Sequence, residues 1–198
     1  ACVSVHGANR LGGNSLLDII VFGRAAGNHM LEYLRENPYP KPIPRNATDA
    51  SQGRLARWDE RGDGPSVATL RAQMAQIMER HCGVFRTTAS MQTGVARIEA
   101  LADELTTARL RDHSKVLNTA RIEALELENM LLVARATMRA SHARHESRGA
   151  HSHVDFPQRD DVNWLKHSLY FPDGRMDYKP VRLKPLTVEG FRPQPRSY

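Results

Sequence analysis

The chain has 198 residues, of which 40% are hydrophobic, 25% charged and 6% aromatic, with 28 Lys+Arg against 22 Asp+Glu for a net charge of +6. That length can bury a core, and the composition is too apolar for a chain that must stay disordered. Most of the basic residues are Arg, scattered rather than gathered into a run, so the charge permits an acidic partner without naming one. Two cysteines, Cys2 and Cys82, exclude a disulfide framework and any multi-cysteine metal cluster within the chain.

The opening residues, ACVSVHGANRLGGNS, lack the basic and apolar segments of a secretory leader. Residues 1–6 read as the exit of a buried strand, and 7–14 as a turn-rich loop. An apolar helix is predicted over 16–36, with Ser15 as N-cap and Asp18 completing a capping box. Leu16, Leu17, Ile19, Ile20, Val21 and Phe22 leave almost no polar face, which predicts burial against something large. Nothing else in the chain resembles a sheet for it to cover, so the sequence reads as a piece of a longer protein. The same stretch is interrupted by Asp18, Arg24, Asn28 and His29. It is too short and too polar to cross a bilayer, and the chain reads as soluble.

Prolines 38, 40, 42 and 44 exclude helix and make 38–65 a linker, with one or two helical turns near 54–59. Three amphipathic helices follow. Residues 66–81 carry Val67, Leu70, Met74, Ile77 and Met78; residues 91–110 carry Val95, Ile98, Leu101, Leu105 and Ala108. Residues 118–145 carry a main row of Ile122, Leu125, Leu132, Val133 and Ala136 and a second row of Leu127, Leu131 and Met138. The wider stripe on this last helix predicts that it also packs outside the bundle. The fold class is therefore mainly α, an antiparallel three-helix bundle over 66–152 followed by an extended tail over 153–198. Pro172-Asp173-Gly174 between apolar runs marks a β-hairpin in that tail.

The strongest candidate for chemistry is the loop that leads into the first helix. Gly12-Gly13 lets backbone approach a ligand closely, and the helix start offers free N–H groups and a positive dipole end to an electron-rich edge. Arg10 could place a planar guanidinium on a carboxylate in two-pronged fashion. An ordinary glycine loop before a capped helix, with Arg10 in a surface ion pair, accounts for the same residues. His6 and Asn9 read as loop-shaping hydrogen-bonders. The cluster His145, Glu146, His151 and His153 straddles a helix end at Gly149, which fits C-terminal capping better than a metal site. Arg159-Asp160-Asp161 reads as an ion-pair turn before Trp164 rather than an acid–base pair.

The run His6-Gly7-Ala8-Asn9-Arg10-Leu11-Gly12-Gly13-Asn14-Ser15-Leu16-Leu17 resembles the succinate dehydrogenase and fumarate reductase flavoprotein family. The likeness continues through Val21-Phe22-Gly23-Arg24-Ala25-Ala26-Gly27, His81-x-x-Val84-Phe85-Arg86 and Asn118-Thr119-x-Arg121-x-Glu123. Glu146-Ser147-Arg148-Gly149-Ala150-His151, Asp155-Phe156-Pro157-x-Arg159-Asp160-Asp161 and Arg196-Ser197-Tyr198 complete it in family order. The related L-aspartate oxidases usually carry small residues other than Gly-Gly after Asn-Arg-Leu, which favours the dehydrogenase.

The resemblance implies that 1–37 closes an FAD-binding α/β domain whose dinucleotide fold lies upstream, and that the chain is roughly the last third of a subunit. It implies Arg10 as a clamp on a substrate carboxylate and Ser15 and Leu16 as flavin contacts, with no catalytic residue and no metal ligand in this stretch. The implied reaction takes succinate to fumarate, a hydride going to FAD and electrons to an iron–sulfur subunit and then quinone. Membrane anchor subunits would hold the assembly peripherally on the cytoplasmic side of a bacterial inner membrane. Two alternatives stand beside it: a fumarate reductase working in reverse, and a free-standing helical module that binds nucleic acid.

Overall fold

The computed structural model describes residues 5–60, 62–190 and 192–194. The chain is mainly helical, with α1 (Asn14–Glu36), α2 (Asp49–Arg57), α3 (Val67–Cys82), α4 (Thr88–Thr107) and α5 (Thr119–Ala143). Four short strands complete it: β1 (Phe85–Arg86), β2 (Ser152–His153), β3 (Lys166–Tyr170) and β4 (Met176–Pro180). β1 and β2 pair in parallel, whereas β3 and β4 form an antiparallel hairpin across the turn at Gly174. Most of the strand exit read over 1–6, including Cys2, and the terminal Arg196-Ser197-Tyr198 lie outside the described residues.

The core lies where α3, α4 and α5 pack on one another. Each contributes a row spaced alternately by three and four residues: Val67, Leu70, Met74 and His81 on α3; Met91, Gly94, Ile98, Leu101 and Leu105 on α4; Ala124, Leu127, Leu131, Ala134, Met138 and Ser141 on α5. This is the spacing that keeps one stripe on the inner face of a helix along its length. Each of the three starts at a side-chain cap. Ser66 Oγ accepts from Thr69 N, Thr87 Oγ1 from Ser90 N and Asn118 Oδ1 from Arg121 N, satisfying donors the helix itself cannot.

Several expectations are corrected. On α5 the buried row is Leu127, Leu131 and Met138, read as secondary, while Ile122, Leu132 and Val133 of the row read as principal are exposed. Ala124 and Ala134 decide this, because their small side chains let α5 approach its neighbours on that face. Helix α4 begins and ends three residues earlier than expected, since Thr87 rather than a later residue caps it. Helix α5 stops at Ala143, so Gly149 does not end it. Ser15 is not the N-cap of α1: the helix begins one residue before it, on Gly13 in a left-handed conformation, with no side-chain cap. No residue of α1 is buried within this chain, although its sequence predicts burial.

The stretch read as a linker holds more structure than its prolines suggest. α2 ends on Trp58, which is 0% exposed within the helical core. Its indole N–H donates to Glu128 Oε1 at 2.9 Å, and Arg57 donates to the same carboxylate while lying over the Trp58 ring. The predicted hairpin forms as expected, with Tyr170 opposite Met176 at its closed end.

Gly94 sits where α4 crosses both neighbours. A Cβ there would stand 2.6 Å from His81 Cβ and 2.7 Å from Met138 Cε, so a methyl has no room without moving α3. Gly94→Ala is therefore expected to destabilise the protein by about 1–2 kcal/mol, overpacking outweighing the gain in helix propensity. A urea midpoint equal to or above that of the parent would contradict this.

Candidate functional site

The loop 6–13 approaches α1 with two glycines in left-handed conformations, Gly7 at φ +60° and Gly13 at φ +79°. Neither position, nor Gly12, has a non-neighbouring atom of the described residues within 4 Å of where a side chain would begin, so the glycine face of the loop is open among them. Leu16 N and Leu17 N turn back to Gly13 O at 3.0 and 3.4 Å, which starts the helix without a capping side chain. The first turn therefore keeps a positive dipole end beside open space, unlike the capped starts of α3, α4 and α5.

Arg10 and Ser15 are brought together: the guanidinium Nη1 donates to Ser15 Oγ. This replaces both the capping role expected of Ser15 and the surface ion pair considered for Arg10. Asp18 takes no part in a capping box; His6 Nε2 donates to its Oδ2 at 2.8 Å, tying the entry of the loop to the second turn of α1. Leu16, at 65% exposure, presents its side chain to open space beside Ser15. Asn9, expected as a loop-shaping hydrogen-bonder, makes no side-chain hydrogen bond among the described residues.

Behind the loop lies a cleft of about 810 Å³ between Val5, Gly7 and Ala8, the end of α5, and the segment that enters β3. Its walls include Arg86, Arg144, Arg148, His151, Trp164 and Lys166. The sequence singled out several of these residues without finding what organises them. That residue is Glu146, 0% exposed, whose carboxylate accepts from Arg144 Nη1, from Arg148 Nε and Nη2 at 2.8 and 2.9 Å, and from Asp160 N at 2.9 Å. Arg148 Nη2 also reaches Asp161 Oδ1 at 2.7 Å, and Asp161 pairs with Arg159, so the acidic turn is an ion-pair turn as its sequence suggested. Asp160 spends its carboxylate on Val162 N, Asn163 N and the Asn163 amide.

The histidines divide between this network and an aromatic cluster. His151 accepts from Arg86 Nη1 at 2.7 Å and donates Nε2–H to Arg144 O at 3.1 Å, a neutral ring held between two partners. Burial, joined by nearby Arg86, pushes its pKa below the ordinary value despite the carbonyl that accepts from it. His145 stacks on Phe156 at 4.9 Å between ring centres, with His153 edge-on to both. Among the described residues no group of His, Cys, Asp and Glu is arranged to hold a metal ion. Cys82 is buried, its Sγ 3.6 Å from Ser141 Oγ.

Burial alone pushes the Glu146 carboxyl up, but the hydrogen bonds from Arg148, the Asp160 amide and Arg144 outweigh it and hold its pKa below the ordinary value. A group depressed in the folded state contributes stability that is complete above the unfolded pKa and is lost as pH falls through the folded one. Glu146→Gln is accordingly expected to cost about 3 kcal/mol at neutral pH, with the gap from the parent narrowing below the ordinary carboxylate range. Urea unfolding at neutral and acid pH checks both parts.

The family described as fumarate reductase flavoprotein C-term matches residues 71–198. The succinate dehydrogenase flavoprotein subunit of Coxiella burnetii is 47% identical over 197 residues, covering 100% of this chain and 34% of that protein. The fumarate reductase flavoprotein subunit of Haemophilus influenzae is 37% identical over 191 residues, covering 92% of this chain and 31% of that protein. A solved structure of E. coli quinol fumarate reductase superposes with a TM-score of 0.82 at 35% identity, over 97% of this chain and 34% of that one. The chain thus spans about a third of the length of the curated relatives it matches. On the strength of the family match and of likeness along its whole length, the chain belongs to the succinate dehydrogenase and fumarate reductase flavoprotein family.

Proposed function

We propose that the chain is the C-terminal third of a succinate dehydrogenase flavoprotein subunit and forms one wall of its active site. The observation that carries this reading is the uncapped, glycine-lined start of α1 with Arg10 held beside it on Ser15. The higher identity to the dehydrogenase than to the reductase supports oxidation of succinate to fumarate as the working direction. The overall change breaks one C–H bond on each central methylene, releasing two electrons and two protons as the carbon–carbon single bond becomes a double bond. Family membership leaves the nucleic-acid-binding alternative without support.

Arg10 serves as the carboxylate clamp. Its guanidinium already has a hydroxyl acceptor in Ser15, so a carboxylate arriving there meets a charge that is oriented. Two parallel N–H bonds fix the plane of that carboxylate, which holds the central methylenes of the substrate in one place. FAD, when bound, supplies the two-electron acceptor.

The residues present fit a flavin edge. Gly12 and Gly13 leave space that a Cβ would fill, and the first turn of α1 aims its dipole into it. Ser15 and Leu16 would hold the electron-rich edge of the ring at that helix start, where a positive end favours the reduced, more negative form. They tune and seat the group and do no bond-making. The dinucleotide fold and the flavin attachment residue belong to the part of the subunit outside this chain.

In this reading residues 1–37 close the FAD-binding domain, and the apolar side chains of α1 pack on the remainder of that domain. Residues 38–65 link it to the helical domain at 66–152, an antiparallel three-helix bundle whose core also takes in Trp58 from that link, and 153–198 are its extended tail. The subunit passes electrons to an iron–sulfur subunit and on to quinone, attached through membrane anchor subunits at the cytoplasmic face of a bacterial inner membrane. Among the described residues no helix is long and apolar enough to cross a membrane, which fits a peripheral part of such an assembly.

In the complete flavoprotein, Arg10→Ala is expected to lower kcat/KM for succinate by about a hundredfold or more while flavin content stays normal. Arg10→Lys should recover little, because one ammonium cannot reproduce a two-pronged contact. Normal kcat/KM in either variant would remove Arg10 from the clamp. The 198-residue chain alone is expected to bind no FAD at micromolar concentration, and a yellow purified chain would contradict the assignment of the main flavin site to the rest of the subunit.

A further inference from the structure

Arg10 is anchored through its own loop, and the loop touches a second element that the reading above does not use. Gly149 stands in the turn between Arg148 and His151 with φ +59°. A Cβ built there would lie 2.5 Å from Ala8 O, 2.7 Å from Ala8 C and 2.8 Å from Ala8 Cβ. The turn and the loop therefore meet backbone to backbone, two residues before Arg10.

The turn cannot withdraw to make room. Its backbone is closed by Arg148 N to His151 O at 2.9 Å and His151 N to Arg148 O at 3.0 Å. The Arg148 side chain is fixed on buried Glu146 and on Asp161, and the His151 ring is held between Arg86 and Arg144 O. The residues that follow enter β2, paired with β1. The loop is the softer partner, its described side chains exposed apart from His6, which Asp18 holds.

We infer that the Arg148–His151 turn is a positioning element for the Arg10 loop and that Gly149 sets the distance between them. The loop is then held by His6 on Asp18 and by Ala8 against Gly149, and Arg10, two residues on from Ala8, reaches Ser15 from the position that this contact sets. Any side chain at 149 pushes Ala8 outward and carries the guanidinium away from where a dicarboxylate would meet it. This rests on the reading of Arg10 as the carboxylate clamp. Gly149 would act through Ala8 and Arg10, without touching substrate.

The experiment uses the complete flavoprotein in its assembled enzyme, with succinate KM, kcat and flavin content measured for each variant. Gly149→Ala is expected to raise KM about tenfold with flavin content and kcat little changed, the pattern of a displaced binding group. Gly174→Ala is the control for strain, since Gly174 has φ +83° and open space around it; its KM should stay at the parent value. Gly149→Asn tolerates the left-handed backbone but keeps the Cβ, so it should raise KM as Ala does. If Gly149→Ala fails to assemble, Ala8→Val crowds the same contact from the loop side and should give the same rise.

An unchanged KM in Gly149→Ala, or in Ala8→Val where it stands in, overturns the inference. So does an equal rise in Gly174→Ala, or a parent KM in Gly149→Asn. Arg10→Ala separates the two levels of argument. If it leaves kcat/KM unchanged, the clamp itself fails and this inference fails with it. If it lowers kcat/KM while Gly149→Ala leaves KM unchanged, the bracing alone is wrong.

Discussion

A carboxylate out of reach of water is tolerable only if its oxygens are fully occupied, and Glu146 meets that condition with donors from three segments of chain. Arg144 comes from the cap of α5, Arg148 from the following turn, and the Asp160 amide from the acidic segment beyond β2. Arg144 then extends to Trp164 O, Lys166 O and Ser168 Oγ, which brings the β3–β4 hairpin into the same arrangement. Such a network specifies geometry more than it adds stability, because the attraction between the charges is set against the loss of their hydration. Remove the carboxylate and two guanidiniums point at one another, so the segments it joins lose both their glue and their register.

The chain divides its positive charge along the same lines. Arg54 and Arg57 lie on Glu128, Arg135 and Arg139 on Glu99, and Arg121 on Asp59. Arg thus serves here mainly as a structural fork between carboxylates and backbone carbonyls, a use in which Lys is a poor substitute. Much of the basic side-chain charge is thereby spent inside the fold on carboxylates. The guanidinium of Arg10 differs from all of these in having a hydroxyl, not a carboxylate, as its partner. Among the described residues no carboxylate pairs with it, which fits the binding role proposed for it.

What the sequence disclosed follows the size of the side chains. The large apolar residues Leu70, Met74, Ile98, Leu101 and Leu105 marked the inner faces of α3 and α4, and Ser66 and Asn118 marked helix starts. On α5 the inner face was hidden, because Ala124, Ala134 and Ser141 belong to the row that packs while Ile122 and Val133 advertise a face that does not. Trp58 was overlooked for a related reason: its neighbourhood is full of turn-forming residues, and only a partner 70 positions away, Glu128, explains its burial. Around the candidate site, the loop and its glycines were legible from local chemistry. The partners of Ser15 and Asp18 were not, since a capping box and a pair of cross-loop bonds use the same residue types. The Glu146 network was invisible as such, its members being short-range in sequence only in part.

One further consequence concerns how far apart in sequence the contacting segments lie. Asp155 Oδ2 accepts from Thr88 N at 2.8 Å, holding the first turn of α4 from 67 residues away, and the β1–β2 pair joins the same two stretches. Closing a loop of that length costs entropy before it returns any energy, whereas the turns within α4 and α5 form from near neighbours. The chain beyond α5 reaches β1 alongside the packed α4–α5 pair, so this contact is long-range where the helix turns are local. The Arg148–His151 turn is part of that returning segment, so the surface that meets Ala8 depends on this long-range closure. On the proposed reading of Arg10, a carboxylate clamp braced on that turn depends on a long-range closure of the chain and not on its local helices alone.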